Sequence, residues 1–153
     1  MCDRLLACGV ESFTVTQTIE GVLEACQEAE PDALILGFAL DGAPSVQAIQ
    51  TIRRGEKGVN AFLPIILTKS KATAKLVHAG MDAGAHEVLS LPASRDVIGR
   101  VLHRAVFVGR PFIRESSYIG PCRRRRQLDG FGAERRKAAW PGYVHAAHTT
   151  YID

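Results

Sequence analysis

Three runs of strand-forming residues, separated by single segments of helical period, restrict the fold of this chain more than any other feature. Ala33-Leu34-Ile35-Leu36 and Pro64-Ile65-Ile66-Leu67-Thr68 are near-continuous apolar runs, the pattern of strands covered on both faces. Glu87-Val88-Leu89-Ser90 reads as a third strand. Thr18 is positioned to cap a helix in which Ile19, Val22, Leu23 and Cys26 recur at helical spacing, stopped by Pro31-Asp32. Asp41 to Ser45 reads as a loop, followed by a helix that presents Val46, Ile49 and Ile52 before Gly55. Residues 71–83 read as a helix with Leu76, Ala79 and Ala83 on one face, ended by Gly84. Ser94 opens a last helix that turns Val97, Ile98, Val101, Leu102 and Ala105 inward.

Strands joined by single helices imply right-handed crossovers and a parallel sheet. The functional site of such a sheet lies beyond the carboxyl ends of its strands, here just after Leu36, Leu67 and Leu89. The N-terminal stretch fits less well. Asp3 to Cys8 reads as the end of a helix closed by Gly9, and Ser12 to Thr16 as a short strand.

Charge divides the chain in two. Residues 1–109 carry a net −2 and residues 110–153 a net +5, so a boundary falls at Arg110-Pro111, with a globular unit over 1–109 and a basic, flexible tail over 110–153. No run approaches the 18 apolar residues of a membrane span and no leader pattern is visible, so a cytoplasmic location is expected. The four cysteines have no CxxC spacing and read as free thiols, mostly core fillers. His145 and His148 lack a third ligand, and His78 and His86 read as surface residues. No serine sits in a GxSxG setting and no phosphate-binding glycine loop occurs, so an enzyme is not expected.

Taken together, Pro31 to Leu36 with Gly42 beyond it, Phe62 to Thr68, and Ala79-Gly80-Met81-Asp82-Ala83-Gly84 through Leu91-Pro92 resemble the third, fourth and fifth strands of CheY-like response-regulator receiver domains. The resemblance covers roughly residues 3–107. It implies a flavodoxin-like, doubly wound parallel sheet of order 2-1-3-4-5 and a role in two-component phosphorelay signalling. It also implies that Leu91-Pro92 is cis.

The family's chemistry needs an acidic pair after the first strand, an acceptor aspartate after the third, a Ser/Thr after the fourth and a lysine after the fifth, with Mg²⁺ neutralising the transferring phosphoryl group. The matching positions here are Gly37, Lys69 and Leu91, although a one-residue shift would bring Thr68 or Ser70 to the second. Asp41 is the nearest carboxylate on the loop after the third strand. The first strand is itself missing. An upstream start, a strand from a partner chain, or altered packing of residues 1–30 would each account for that. The resemblance thus implies a degenerate receiver, with no cofactor unless an upstream acidic pair and another acceptor bring in Mg²⁺. Such a domain would act as a phosphorylation-independent protein-interaction module. Its surface would comprise Lys71, Lys75, His78, Asp82, Arg95, Arg100 and Arg104, and its partner would be a histidine kinase, an output protein or a second copy. A receiver with a non-standard acceptor is the alternative.

The tail resembles a basic extension that follows some bacterial receivers and carries a GPxRR repeat: Gly120-Pro121-Cys122-Arg123-Arg124-Arg125-Arg126, then Gly132-Ala133-Glu134-Arg135-Arg136. Arg123, Arg124, Arg125, Arg126, Arg135 and Arg136 could hold an anionic partner, with Phe131, Trp140 and Tyr143 available to stack on bases. No reader motif for specific DNA recognition is present.

Overall fold

The computed structural model describes residues 2–108, 110–123 and 143–144. Helix α1 (Cys2–Leu6) leads through a turn at Gly9 into an extended segment, and α2 (Ile19–Ala29) follows. The Thr18 hydroxyl accepts the Gly21 N–H at 3.1 Å, which satisfies one of the free donors at the start of α2. Strand β1 (Leu34–Gly37) precedes a small hairpin, β2 (Ala39–Leu40) and β3 (Ala43–Pro44), and then α3 (Ser45–Arg53). A short 3-10 turn (Glu56–Gly58) leads to β4 (Ile65–Ser70), α4 (Ala74–Ala83), β5 (Glu87–Leu91) and α5 (Arg95–Val106). Thr73 and Ser94 cap the last two helices through their hydroxyls. Gly84 ends α4 at φ +103, a conformation that costs a glycine little.

The central sheet is parallel, in the order β1-β4-β5. Alternation along β4 sends Ile65 and Leu67 to one face and Ile66 to the other. The first face packs on α2, α3 and α4 through Val22, Leu23, Cys26, Ile49, Ile52 and Ala83. The second packs on α5 and α1 through Ile98, Val101, Ala105 and Leu5. Each fully buried aliphatic side chain contributes about 1.5–3 kcal/mol. Helices on both faces of a parallel sheet make this a flavodoxin-like doubly wound fold, as expected.

Four local expectations need correction. Ser12 to Thr16 forms no strand and leaves Val15 70% exposed and Phe13 43% exposed. Among the described residues no strand lies beside it to share a ladder, and without one a β-rich composition has nothing to bond to. Asp41 to Ser45 is not a plain loop. Asp41 (φ +46) and Gly42 (φ +77) make the two-residue turn of the β2–β3 hairpin. On α4 it is Gly80, not Ala79, that turns inward.

The fourth correction concerns the stretch expected to be irregular. Its start forms an antiparallel hairpin, β6 (Phe112–Glu115) with β7 (Tyr118–Pro121), and β8 (Tyr143–Val144) pairs with the other edge of β6. Phe112, Tyr118, Gly120 and Pro121 are buried, so the hairpin has an inner face. The sequence hid it because the hairpin's apolar residues are interrupted by glycine, proline and arginine. Residues 124–142 and 145–153, with the remaining basic-tail positions, Phe131, Trp140 and the His145/His148 pair, lie outside the described residues.

Candidate functional site

The carboxyl ends of β1, β4 and β5 bring Gly37, Lys69 and Leu91 to one end of the sheet. Gly37 is the last residue of β1, opposite Thr68, and its carbonyl accepts the buried Ser45 hydroxyl. Phe38, the next residue, is partly buried against the α2–α3–α4 core. A Cβ added to Gly80 would come within 2.7 Å of Leu67 Cδ1 and 3.2 Å of Val88 Cγ2, so the absent side chain at Gly80 lets α4 lie close on the sheet, with the Phe38 ring in ordinary contact beside it. Lys69 Nζ stands 5.7 Å from the centre of that ring, within cation–π range.

Thr68 is buried, and its hydroxyl donates to the Leu36 carbonyl at 3.1 Å, so that hydroxyl is committed to the sheet. Ser70 and Lys71 are exposed. The Ser90 hydroxyl accepts the Ala72 N–H at 3.3 Å and ties the loop after β4 to β5. Leu91 packs in the apolar cluster of Ile66, Leu89 and Ile98, and Leu91-Pro92 is cis. Asp41 sits exposed at the tip of the β2–β3 hairpin, beyond the Ala39–Pro44 pair. This end of the sheet therefore offers an aromatic ring, a lysine and a leucine, with no nucleophilic carboxylate on the strand ends themselves.

At the opposite end of the sheet lies a second constellation, which sequence reasoning missed. Arg53 is 2% exposed. Its Nε donates to the Gly84 carbonyl at 2.9 Å, and its Nη1 donates to Ala61 and Leu63 at 2.8 and 2.9 Å. Its carbon Cζ lies 5.2 Å from the Phe112 ring centre. The remaining Nη2 and the Ile65 N–H both approach His86 Nδ1 at 3.2 Å, so that nitrogen is the acceptor and the proton sits on Nε2. His86 is buried, not a surface residue as expected. Burial first, then the charges of Arg53 and Arg110, lower its pKa to about 3. Burial also lowers Arg53 to about 9 and raises the Tyr118 phenol. Arg110 donates to the His86 and Cys122 carbonyls, and Tyr118 to the Pro121 carbonyl at 2.7 Å. A signal for Arg53 existed, since it falls four residues after Ile49 on the buried stripe of α3. His86 gave none.

All seven residues of the expected docking surface are exposed. Asp82 is bridged to Arg123 at 2.6 Å, and Arg123 also stacks over Tyr118 at 4.0 Å. Arg104 pairs with the buried Glu87 at 3.3 Å. The other five make no ion pair among the described residues.

No protein-family model and no curated protein matches the chain. Solved structures do. The receiver domain of a sensor histidine kinase from Pseudomonas aeruginosa, which holds a magnesium ion in its active-site cleft, superposes with a TM-score of 0.59 at 20% identity, over 68% of this chain and 83% of that one. A response regulator from Chloroflexus aurantiacus gives 0.57 at 24% identity, over 66% and 84%. The signal receiver domain of a modulated diguanylate cyclase from Desulfovibrio desulfuricans gives 0.57 at 19%, over 69% and 80%. The chain has the receiver-domain fold.

The side chains at this end of the sheet are not the oxygen donors that a magnesium ion takes. Gly37 brings no ligand oxygen from its side chain, Lys69 brings a cation and Leu91 an apolar surface. Among the described residues no cluster of three or more His, Cys, Asp or Glu side chains could hold a metal ion. None of the described helices is long and apolar enough to cross a membrane.

Proposed function

We propose that this chain is a degenerate receiver of two-component signalling that acts as a protein-interaction module without a phosphorylation switch and without enzymatic activity. The observation that carries the reading is the end of β1. Where phosphoryl transfer would need a carboxylate there is a glycine, the next residue is a ring packed into the core, and Lys69 rests over that ring. Phosphoryl transfer to a receiver depends on an acceptor carboxylate and metal ligands, and these residue types supply neither.

What remains is a rigid scaffold with an exposed α4–β5–α5 surface, on which Lys71, Lys75, His78, Arg95 and Arg100 stand free of ion pairs among the described residues. The partner on this reading is a histidine kinase, an output protein or a second copy, and the interaction is constitutive. Incubation with acetyl phosphate and Mg²⁺ followed by intact-mass measurement tests it. No added phosphoryl mass is expected. A gain that Asp41→Asn abolishes would replace this reading with a receiver using another acceptor.

A further inference from the structure

The helical layer on one face of the sheet runs α2, α3, α4, since α3 packs against both of its neighbours. Its two ends carry opposite charge. Helix α2 holds Glu20, Glu24 and Glu28 at successive four-residue steps and has no lysine or arginine. All three are exposed, and none is ion-paired among the described residues. Like charges at that spacing repel along the helix. At the far end, the α4–β5–α5 edge presents Lys71, Lys75, Arg95 and Arg100, against an exposed Asp96 and an Asp82 already bridged to Arg123. The strands beneath follow the same division. β1 lies at the α2 side and β5 at the α4 side, and among the described residues each has a paired neighbour on one side only.

We infer that copies of this chain associate head to tail, with the acidic stripe of α2 on one copy docking against the basic α4–β5–α5 edge of the next. Charge complementarity selects a second copy as the occupant, because each copy carries both halves of the interface at opposite ends. An interface between two different patches does not close on itself in pairs. It builds rings or open chains, according to the rotation between neighbours. Attraction between exposed charges is modest and strongly screened, so the assembly forms and dissolves with ionic strength. The inference rests on the reading of α4–β5–α5 as a docking surface and goes further by naming what docks there.

The test is sedimentation velocity on the full chain at about 0.01 M and about 0.15 M salt, where the Debye length falls from about 30 Å to about 8 Å. The native chain is expected to associate at low salt and dissociate at high salt. Lys75→Glu with Arg100→Glu, and separately Glu20→Lys with Glu24→Lys, are each expected to give a monomer. Mixing the two variants in equal amounts is expected to restore association, because each then offers what the other lacks. These positions are exposed, so folding should survive, and a thermal melt confirms it. A native chain that stays monomeric at low salt overturns the inference, as does a mixture that fails to associate. If only the Lys75/Arg100 variant loses association, the docking surface stands and α2 is not its occupant. If neither variant loses it, the α4–β5–α5 reading falls as well, and the basic tail becomes the element to examine.

Discussion

The Arg53 guanidinium, at the end of α3, lies against the Phe112 ring of the C-terminal hairpin, 5.2 Å from its centre. A buried cation with no carboxylate partner is costly unless its donors are met, and here three carbonyls, an imidazole nitrogen and the ring meet them. The hairpin is therefore part of the body. A chain ending at residue 109 should unfold at markedly lower urea than the full chain, and Phe112→Ala should cost about 3–5 kcal/mol, read from the same denaturation curves.

Arg53 should resist conservative replacement. Lysine carries the charge but cannot reproduce a planar fork reaching Gly84, Ala61 and Leu63 together. Arg53→Lys is expected to lose about 2–3 kcal/mol, since at least one buried carbonyl would be left without a donor. Equal stability of the two proteins would show that the carbonyl contacts are energetically idle.

His86 predicts a pH dependence. Its pKa is about 3 when folded, against 6.5 unfolded, so the unfolded state binds the extra proton between those values. Stability from this group is complete above pH 6.5 and declines as pH falls towards 3, by about 1.4 kcal/mol per pH unit through most of that window. His86→Asn keeps an acceptor near the Ile65 N–H and cannot take up a proton. Urea midpoints measured from pH 7 to pH 4 should fall less steeply for this variant.

Gly84 admits no side chain. A Cβ there would come within 2.7 Å of the Ile119 carbonyl and 3.0 Å of Arg53 Cγ, on a backbone already at φ +103. Gly84→Ala is expected to destabilise by about 2 kcal/mol or more through strain and displacement of the hairpin. A thermal midpoint within a degree of the native one would contradict this.

Restoring one residue should not restore chemistry. Gly37→Asp supplies a carboxylate but leaves Lys69 over Phe38 and Leu91 in its apolar cluster. Intact mass after acetyl phosphate treatment should show no phosphoryl addition to this variant.

What could be read from the sequence followed from periodicity. β1, β4 and β5 and the helices α2, α3, α4 and α5 are strongly patterned, and three of these helices carry a capping hydroxyl, at Thr18, Thr73 and Ser94. The placement of Gly37, Lys69 and Leu91 at one end of the sheet is equally legible, because it follows directly from where the strands end. Where the rest was hidden, at Ser12 to Thr16, Arg53 and His86, the deciding partner was distant in the chain. Ser12 to Thr16 has strand-forming residues but no strand to pair with. Arg53 and His86 look like ordinary surface residues until the hairpin covers them. The Asp41-Gly42 turn is the local exception, since its signal stands in the sequence itself.

The hairpin also imposes an order on synthesis. Arg53 leaves the ribosome well before its cover, residues 112–121, exists. Until that segment emerges, the nascent domain has its sheet and helices, and Arg53 has its carbonyl and imidazole partners but lacks the Phe112 ring that covers it. Completion of the body thereby waits for residues 112–121, and a product cut short before them would carry an exposed seam at Arg53, Gly84 and His86 by which quality-control proteases could tell it from the folded domain.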